Sequence, residues 1–176
     1  MMHPDTEIRP VDAHIGLGVF ATRLIPRGTI TWVQDDLDLV LPSSRVAALD
    51  AVRQQVVHRY AWQEGDDWIY CWDHARFVNH SCEANCLGIE PLFEIALRDI
   101  QPGEQLTDDY RTLGPLETPF ACRCGAASCT GWVDPTPDPL RTARWAEAYR
   151  RAEQSLRTVA QPLGAYVGSR PAVAAL

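Results

Sequence analysis

The sequence predicts a mostly β domain with some α. Short apolar or alternating runs are separated by glycine, proline and aspartate turn signals throughout the first two thirds of the chain. A single stretch there repeats at helical spacing. A second helical period appears only in the last forty residues, behind a proline-rich stretch. At 176 residues, the chain suits one domain with a helical appendage.

In chain order, Gly16-Leu17-Gly18-Val19-Phe20-Ala21 puts two glycines ahead of an apolar strand. Such a loop lets backbone approach a ligand closely, although alone it is more simply a hairpin turn. Pro26-Arg27-Gly28 turns the chain into the strand formers Thr29 to Val33. Residues 43–60 read as one helix, with Val46, Leu49, Val52, Val56 and Tyr60 on a face that packs on the sheet. Gly65-Asp66-Asp67 leads into a strand at Trp68 to Trp72, and Phe93 to Leu97 alternates like another. Gln101-Pro102-Gly103-Glu104 is a turn before Gln105-Leu106-Thr107. Residues 134–139 form a stiff extended linker. Residues 140–160 form a helix with Trp145, Tyr149, Ala152, Leu156 and Val159 on one face. That face docks on its own domain or serves a homodimer or a channel wall. Residues 161–176 read as a loosely held tail.

The formal net charge is −7, which disfavours direct nucleic-acid binding and suits a basic protein or peptide partner. All sixteen basic residues are arginine, and lysine is absent. No apolar run approaches the roughly 18 residues of a membrane span. The first ten residues lack the apolar core of a signal peptide. The expectation is a reducing compartment: cytoplasmic, nuclear in a eukaryote, and not secreted. There, clustered cysteines are more often metal ligands than disulfides.

Cys122-x-Cys124-x4-Cys129 is one thiolate short of a tetrahedral zinc site. The best candidate for the fourth ligand is Cys82, within Asn79-His80-Ser81-Cys82-Glu83-Ala84-Asn85-Cys86. A zinc on Cys82, Cys122, Cys124 and Cys129 pins the C-terminal part against the middle. Cys71 and Cys86 are spare and read as buried small side chains.

Four stretches in order resemble a known family. They are Gly16 to Ala21, Arg76-Phe77-Val78-Asn79-His80-Ser81-Cys82, Glu104-Gln105-Leu106-Thr107-Asp108-Asp109-Tyr110, and Cys122-Arg123-Cys124-Gly125 with Cys129-Thr130-Gly131-Trp132. Together they resemble a SET-domain protein lysine methyltransferase with a post-SET zinc segment. The resemblance implies a SET domain at 8–115, with the helical insert at 43–60, and a post-SET segment at 116–133. It also implies a fold of small sheets with knot-like threading. S-adenosylmethionine is the implied cofactor, held by Leu17, Gly18, Arg76, Phe77, Asn79 and His80, with Trp132 near its adenine. Tyr110 is implied at the methyl-transfer centre and Tyr60 in the substrate-lysine channel. The zinc, on the same four cysteines, is structural. The implied substrate is a basic protein, histone-like or ribosomal. The other reading is a catalytically weak SET-like module that binds a peptide or partner.

The chemistry explains these residue types. A sulfonium methyl is already activated, so the protein must align an amine about 3 Å from it. That amine must be neutral, which costs about 4–5 kcal/mol near pH 7 for a lysine of ordinary pKa. A dry aromatic channel reduces that cost. The chain departs from the family at Asp108, where an aromatic usually stands two residues before the tyrosine, and at Ala84 in place of a proline. An Asp108 carboxylate in the channel should attract the ammonium and oppose its deprotonation, and can also hold a water that crowds out further methyls. The expected product is therefore mono- or dimethyl-lysine.

Overall fold

Turn residues cut the chain into short strands, which associate as small sheets. The computed structural model describes residues 1–88, 93–114 and 119–168. Among them the chain runs β1 (Thr6–Pro10), β2 (Leu17–Ala21), β3 (Ile30–Val33) and β4 (Leu39–Pro42), then α1 (Ser43–Ala47) and α2 (Ala51–Tyr60). It continues through β5 (Ala61–Glu64), β6 (Asp67–Tyr70), β7 (Asn79–His80), β8 (Cys86–Leu87), β9 (Phe93–Ala96) and β10 (Gln105–Asp108). The ribbon of β11 (Phe120–Ala121) and β12 (Trp132–Val133) precedes α3 (Pro139–Glu153). The mostly β expectation, with a C-terminal helix, holds.

The sheets have strand orders β1-β2-β10-β7, β3-β9-β8, β4-β6-β5 and β11-β12. Every pairing is antiparallel except β10 with β7, which run parallel with Thr107 opposite Asn79 and Asp108 opposite His80. That pairing sets the Asn-His pair alongside the segment leading to Tyr110. The buried Asn85 pins it: Oδ1 accepts from the Thr107 amide (2.9 Å), and Nδ2 donates to the Gln105 carbonyl (2.8 Å).

The single helix expected at 43–60 is two. Asp50 interrupts it by capping α2, its side chain accepting from the Arg53 amide. The interruption resets the helical phase. Val46 and Val57 are buried against Trp68, while Val52 is 71% exposed and Val56 also faces solvent.

The C-terminal helix is also shorter than expected. Pro139 occupies its first turn, and Asp138 caps the Leu140 and Arg141 amides at 3.0 and 3.1 Å. Its apolar face of Trp145, Tyr149 and Ala152 packs with Ile30, Val33, Leu87 and Ile95, mainly from the β3-β9-β8 sheet. That face is therefore packed within the chain, as the docked alternative expects. Each large side chain buried there contributes about 1.5–3 kcal/mol. Gly28 (φ +84°) permits the docking: a Cβ there would stand 2.6 Å from the Ala152 carbonyl oxygen.

The start of the expected loose tail is anchored. Gln161 donates to the Gly28 and Leu156 carbonyls (2.8 and 2.9 Å) and accepts from the Ile30 amide at 2.8 Å. Leu163 is buried in the same core. The rest of that expectation, from 169 onward, lies outside the described residues.

Candidate active site

The parallel β7–β10 pair divides the site into two sides. On one side, Asn79 Nδ2 donates to the Leu17 carbonyl at 2.8 Å, tying the two-glycine loop to β7. Gly18 has no room for a side chain: a Cβ would lie 2.5 Å from Gln105 Nε2 and 3.1 Å from Asn79 Nδ2. The absent side chain thus admits neighbouring protein groups, and the half-exposed Leu17 is left at the surface.

On the other side lies a cavity of about 340 Å³ lined by aromatic rings, among them Trp32, Tyr60, Trp62 and Phe120. Tyr60, at the end of α2, meets Phe77 edge-on at 5.6 Å between centroids. Tyr110 borders the cavity, and its hydroxyl donates to the Val78 carbonyl at 2.7 Å. Burial raises the Tyr110 pKa, and the nearby Asp108 and Glu94 charges add to the rise, so the phenol stays protonated.

Asp108 also borders the cavity, fully buried, with Oδ1 accepting from the Asp109 amide at 2.7 Å. Burial pushes its carboxyl well above the usual range, and the Glu94 charge beside it adds to the shift. The isolated carboxylate expected at this position is therefore one half of a carboxyl pair.

His80 accepts from the Tyr110 amide at Nδ1 (3.3 Å), which leaves Nε2 toward Cys82 Sγ at 3.5 Å. Burial pushes the His80 pKa down to about 4 against the opposing pull of Asp109. With the ring neutral, the 3.5 Å separation of Nδ1 from Asp109 is not an ion pair.

Asp109 is wholly buried and gathers donors and positive charge from Arg111 and from helix α3. Arg111 Nη1 reaches it at 3.2 Å, Trp145 Nε1 donates at 3.0 Å, and Arg141 Nε stands 4.0 Å away. Arg111 Nη2 also donates to the Trp132 carbonyl at 2.9 Å and to Cys82 Sγ at 3.7 Å. Arg144 donates to the Cys82 carbonyl at 2.7 Å. Helix α3 is thereby bonded to the residue beside Tyr110 and to the cysteine cluster.

Cys82, Cys122, Cys124 and Cys129 bring their sulfurs within 4.8 Å of one another. Cys82 and Cys122 are 3.9 Å apart, close to the spacing of about 3.8 Å in a zinc tetrathiolate with Zn–S near 2.3 Å. Amides of Cys82 and Gly131 point at the sulfurs of Cys124 and Cys129, and Arg111 points at Cys82. Donors aimed at three of the four sulfurs favour thiolates, and with the clustered spacing the set fits a zinc ion. Cys71 and Cys86 are buried elsewhere, with their thiols raised well above the ordinary range by burial.

Arg76 lies on the cavity side, where it donates to the Cys71 and Trp72 carbonyls. Phe77 supports Tyr60 from behind. Trp132, on β12, is 49% exposed and held by its carbonyl. Sequence reasoning missed Glu94, Trp32, Asp109, Arg111 and Trp145. Glu94 did carry a signal: a lone carboxylate amid the apolar residues of Phe93 to Leu97.

A family model described as SET domain matches residues 16–111. A human protein named "Histone-lysine N-methyltransferase, H3 lysine-36 specific" is 33% identical over 96 residues, covering 48% of this chain and 4% of that protein. A Chaetomium globosum protein named "Histone-lysine N-methyltransferase, H3 lysine-4 specific" is 41% identical over 70 residues, 34% of this chain and 6% of its own length. Drosophila melanogaster "Histone-lysine N-methyltransferase Set2" is 35% identical over 71 residues, 36% of this chain and 3% of its own. The chain thus spans a small fraction of these relatives, but the model's match takes in the glycine loop, the Asn-His strand and Tyr110. By that match the chain belongs to the SET domain family.

Proposed function

We propose that this chain transfers a methyl group from S-adenosylmethionine to the side-chain amine of lysine in a basic protein. The observation that carries the reading is the placement of Tyr110. Its hydroxyl is fixed on the Val78 carbonyl at the edge of an aromatic cavity, and its own amide is held by His80. Family membership and the names of the relatives support the reaction class.

The bound cofactor would supply an activated methyl on a cationic sulfur, held on the Leu17, Gly18, Asn79 and His80 side. The Tyr110 hydroxyl, spending its proton on Val78, keeps its lone pairs for weak contacts with a polarised methyl. Tyr60 and the indoles exclude water from the amine and orient its chain. The cysteine cluster would hold a structural zinc that orders the Trp132 segment and takes no part in the transfer. The net charge of −7 favours a basic substrate, and the names of the relatives make a histone-like protein the first candidate, in a cytoplasmic or nuclear setting. Asp108, by holding a water that crowds out further methyls, keeps the product at mono- or dimethyl-lysine.

Calorimetry with S-adenosylmethionine, followed by mass-resolved assays of wild type and Tyr110→Phe on core histones, tests this reading. Cofactor binding with Tyr110-dependent mass additions of 14 Da per methyl (about, from one CH2) supports it. Absence of cofactor binding would leave the chain a peptide-binding module, and efficient trimethylation would refute the product assignment.

A further inference from the structure

Asp108 Oδ2 is buried with no conventional hydrogen-bond donor among the described residues. Its neighbour is the carboxyl of Glu94, which comes from β9. Both line the aromatic cavity, and both lie near enough to Tyr110 for their charges to act on its phenol. Among the described residues no guanidinium pairs with either carboxyl, although Arg59 and Arg76 also line the cavity. The other titrating groups that act on the pair are the Met1 ammonium, Asp109, Cys86 and Tyr110; Cys71 senses Glu94 as well.

Two carboxyls that face one aromatic cavity close enough for each charge to act on the other resist ionising together, so such a pair retains one proton and carries one negative charge. Burial raises both members, the direction that brings a carboxylate closer to an amine as a proton acceptor. An aromatic cavity holding a single acid charge and no bonded cation suits an incoming ammonium group.

Resting on the methyl-transfer reading, we propose that Glu94 and Asp108 act as one proton-sharing pair that takes the proton of the substrate amine. The ammonium gives one proton to the monoanionic pair, which becomes doubly protonated. The freed nitrogen lone pair forms the new N–C bond as the S–C bond breaks, and the bonding electrons stay on sulfur as a neutral thioether. The product leaves as a methylammonium, and the pair returns its proton to water before the next turnover.

The test compares wild type, Glu94→Gln, Asp108→Asn and the double variant on core histones, with cofactor affinity by calorimetry and folding by thermal melting. Each single variant should lose about 10²-fold in kcat at pH 7 while cofactor affinity stays within about threefold. The double variant should lose no more than either single one, because the pair works as a unit. Variant rates should climb about tenfold per pH unit toward the free amine pKa as solution takes over deprotonation. A folded Glu94→Gln with wild-type kcat and pH profile overturns the proposal. Should the variants fail to fold, carbon-13 carboxyl titration of the wild type decides. Two coupled resonances displaced upward support the pair, and two independent titrations near 4 overturn it (both about the reference carboxylate range). A wild type that binds cofactor but methylates no lysine sinks the functional reading instead, and the proton-transfer step with it.

Discussion

The indole nitrogen of Trp145 donates to the buried carboxylate of Asp109 across 3.0 Å. One residue further along, Tyr110 faces the cavity. The C-terminal helix is therefore built into the site through a hydrogen bond to a charge, which is worth more than one between neutral groups. Trp145→Phe preserves most of the apolar contact and removes only the donor. It should cost about 1.5–3 kcal/mol in urea unfolding. Trp145→Ala also opens a cavity under α3 and should cost about 3–5 kcal/mol.

The cysteine set should bind one zinc per chain, read by native mass spectrometry. Cys82 comes from the middle of the chain and the other three from the segment before α3, so the metal closes a long loop. Removing it with a chelator, or replacing Cys82 with serine, should lower the melting temperature and weaken cofactor binding together. Unchanged melting after complete zinc loss would show that the segments hold without it.

Tyr110→Phe deletes a hydroxyl that donates to the Val78 carbonyl. The ring contacts with His80 and Phe120 remain. Methyl transfer should fall by about 10²-fold, as when one oriented polar group is lost from a reaction centre. Cofactor affinity, measured by calorimetry, should change by only a few-fold, because the Asn79–Leu17 tie is untouched.

Burial lowers the His74 pKa below its ordinary value, against the opposing charge of Asp73. Its Nε2 lies 2.8 Å from Thr6 Oγ1. The unfolded chain thus binds a proton that the folded chain resists. The stability gained from neutral His74 is complete above the unfolded pKa of about 6.5 and shrinks as pH falls below it. His74→Gln removes that slope. The stability of wild type relative to this variant, from urea melts at pH 7.5, 6 and 5, should therefore decline as pH falls.

The motifs made much of the site legible because their residues are short-range and chemically distinctive. Cys82 was found as the missing ligand because three cysteines cannot complete a tetrahedron. Asn79, Tyr60 and Tyr110 were placed by resemblance, and their bonds now show how they are held. The helix at 43–60 was misread because a period of apolar residues continues across Asp50, where a cap restarts the helix. Glu94 and Asp109 were missed for a different reason. Their significance depends on partners from remote strands and from α3, which no local pattern announces.

Gln161 carries the last prediction because it turns an expected loose tail into a clamp. Its amide bridges the Gly28 carbonyl, the Leu156 carbonyl and the Ile30 amide. Ile30 is buried at the start of β3, so loss of Gln161 leaves its N–H without that partner. An unsatisfied buried donor costs about 1–3 kcal/mol. Gln161→Ala should lose about that much in urea unfolding, and Leu163→Ala about 2–5 kcal/mol for a buried leucine. Hydrogen exchange should locate the Gln161→Ala effect at the Ile30 amide, with amides of the β4-β6-β5 sheet unchanged. Wild-type protection of Ile30 in that variant would mean that the tail only rests on the sheet.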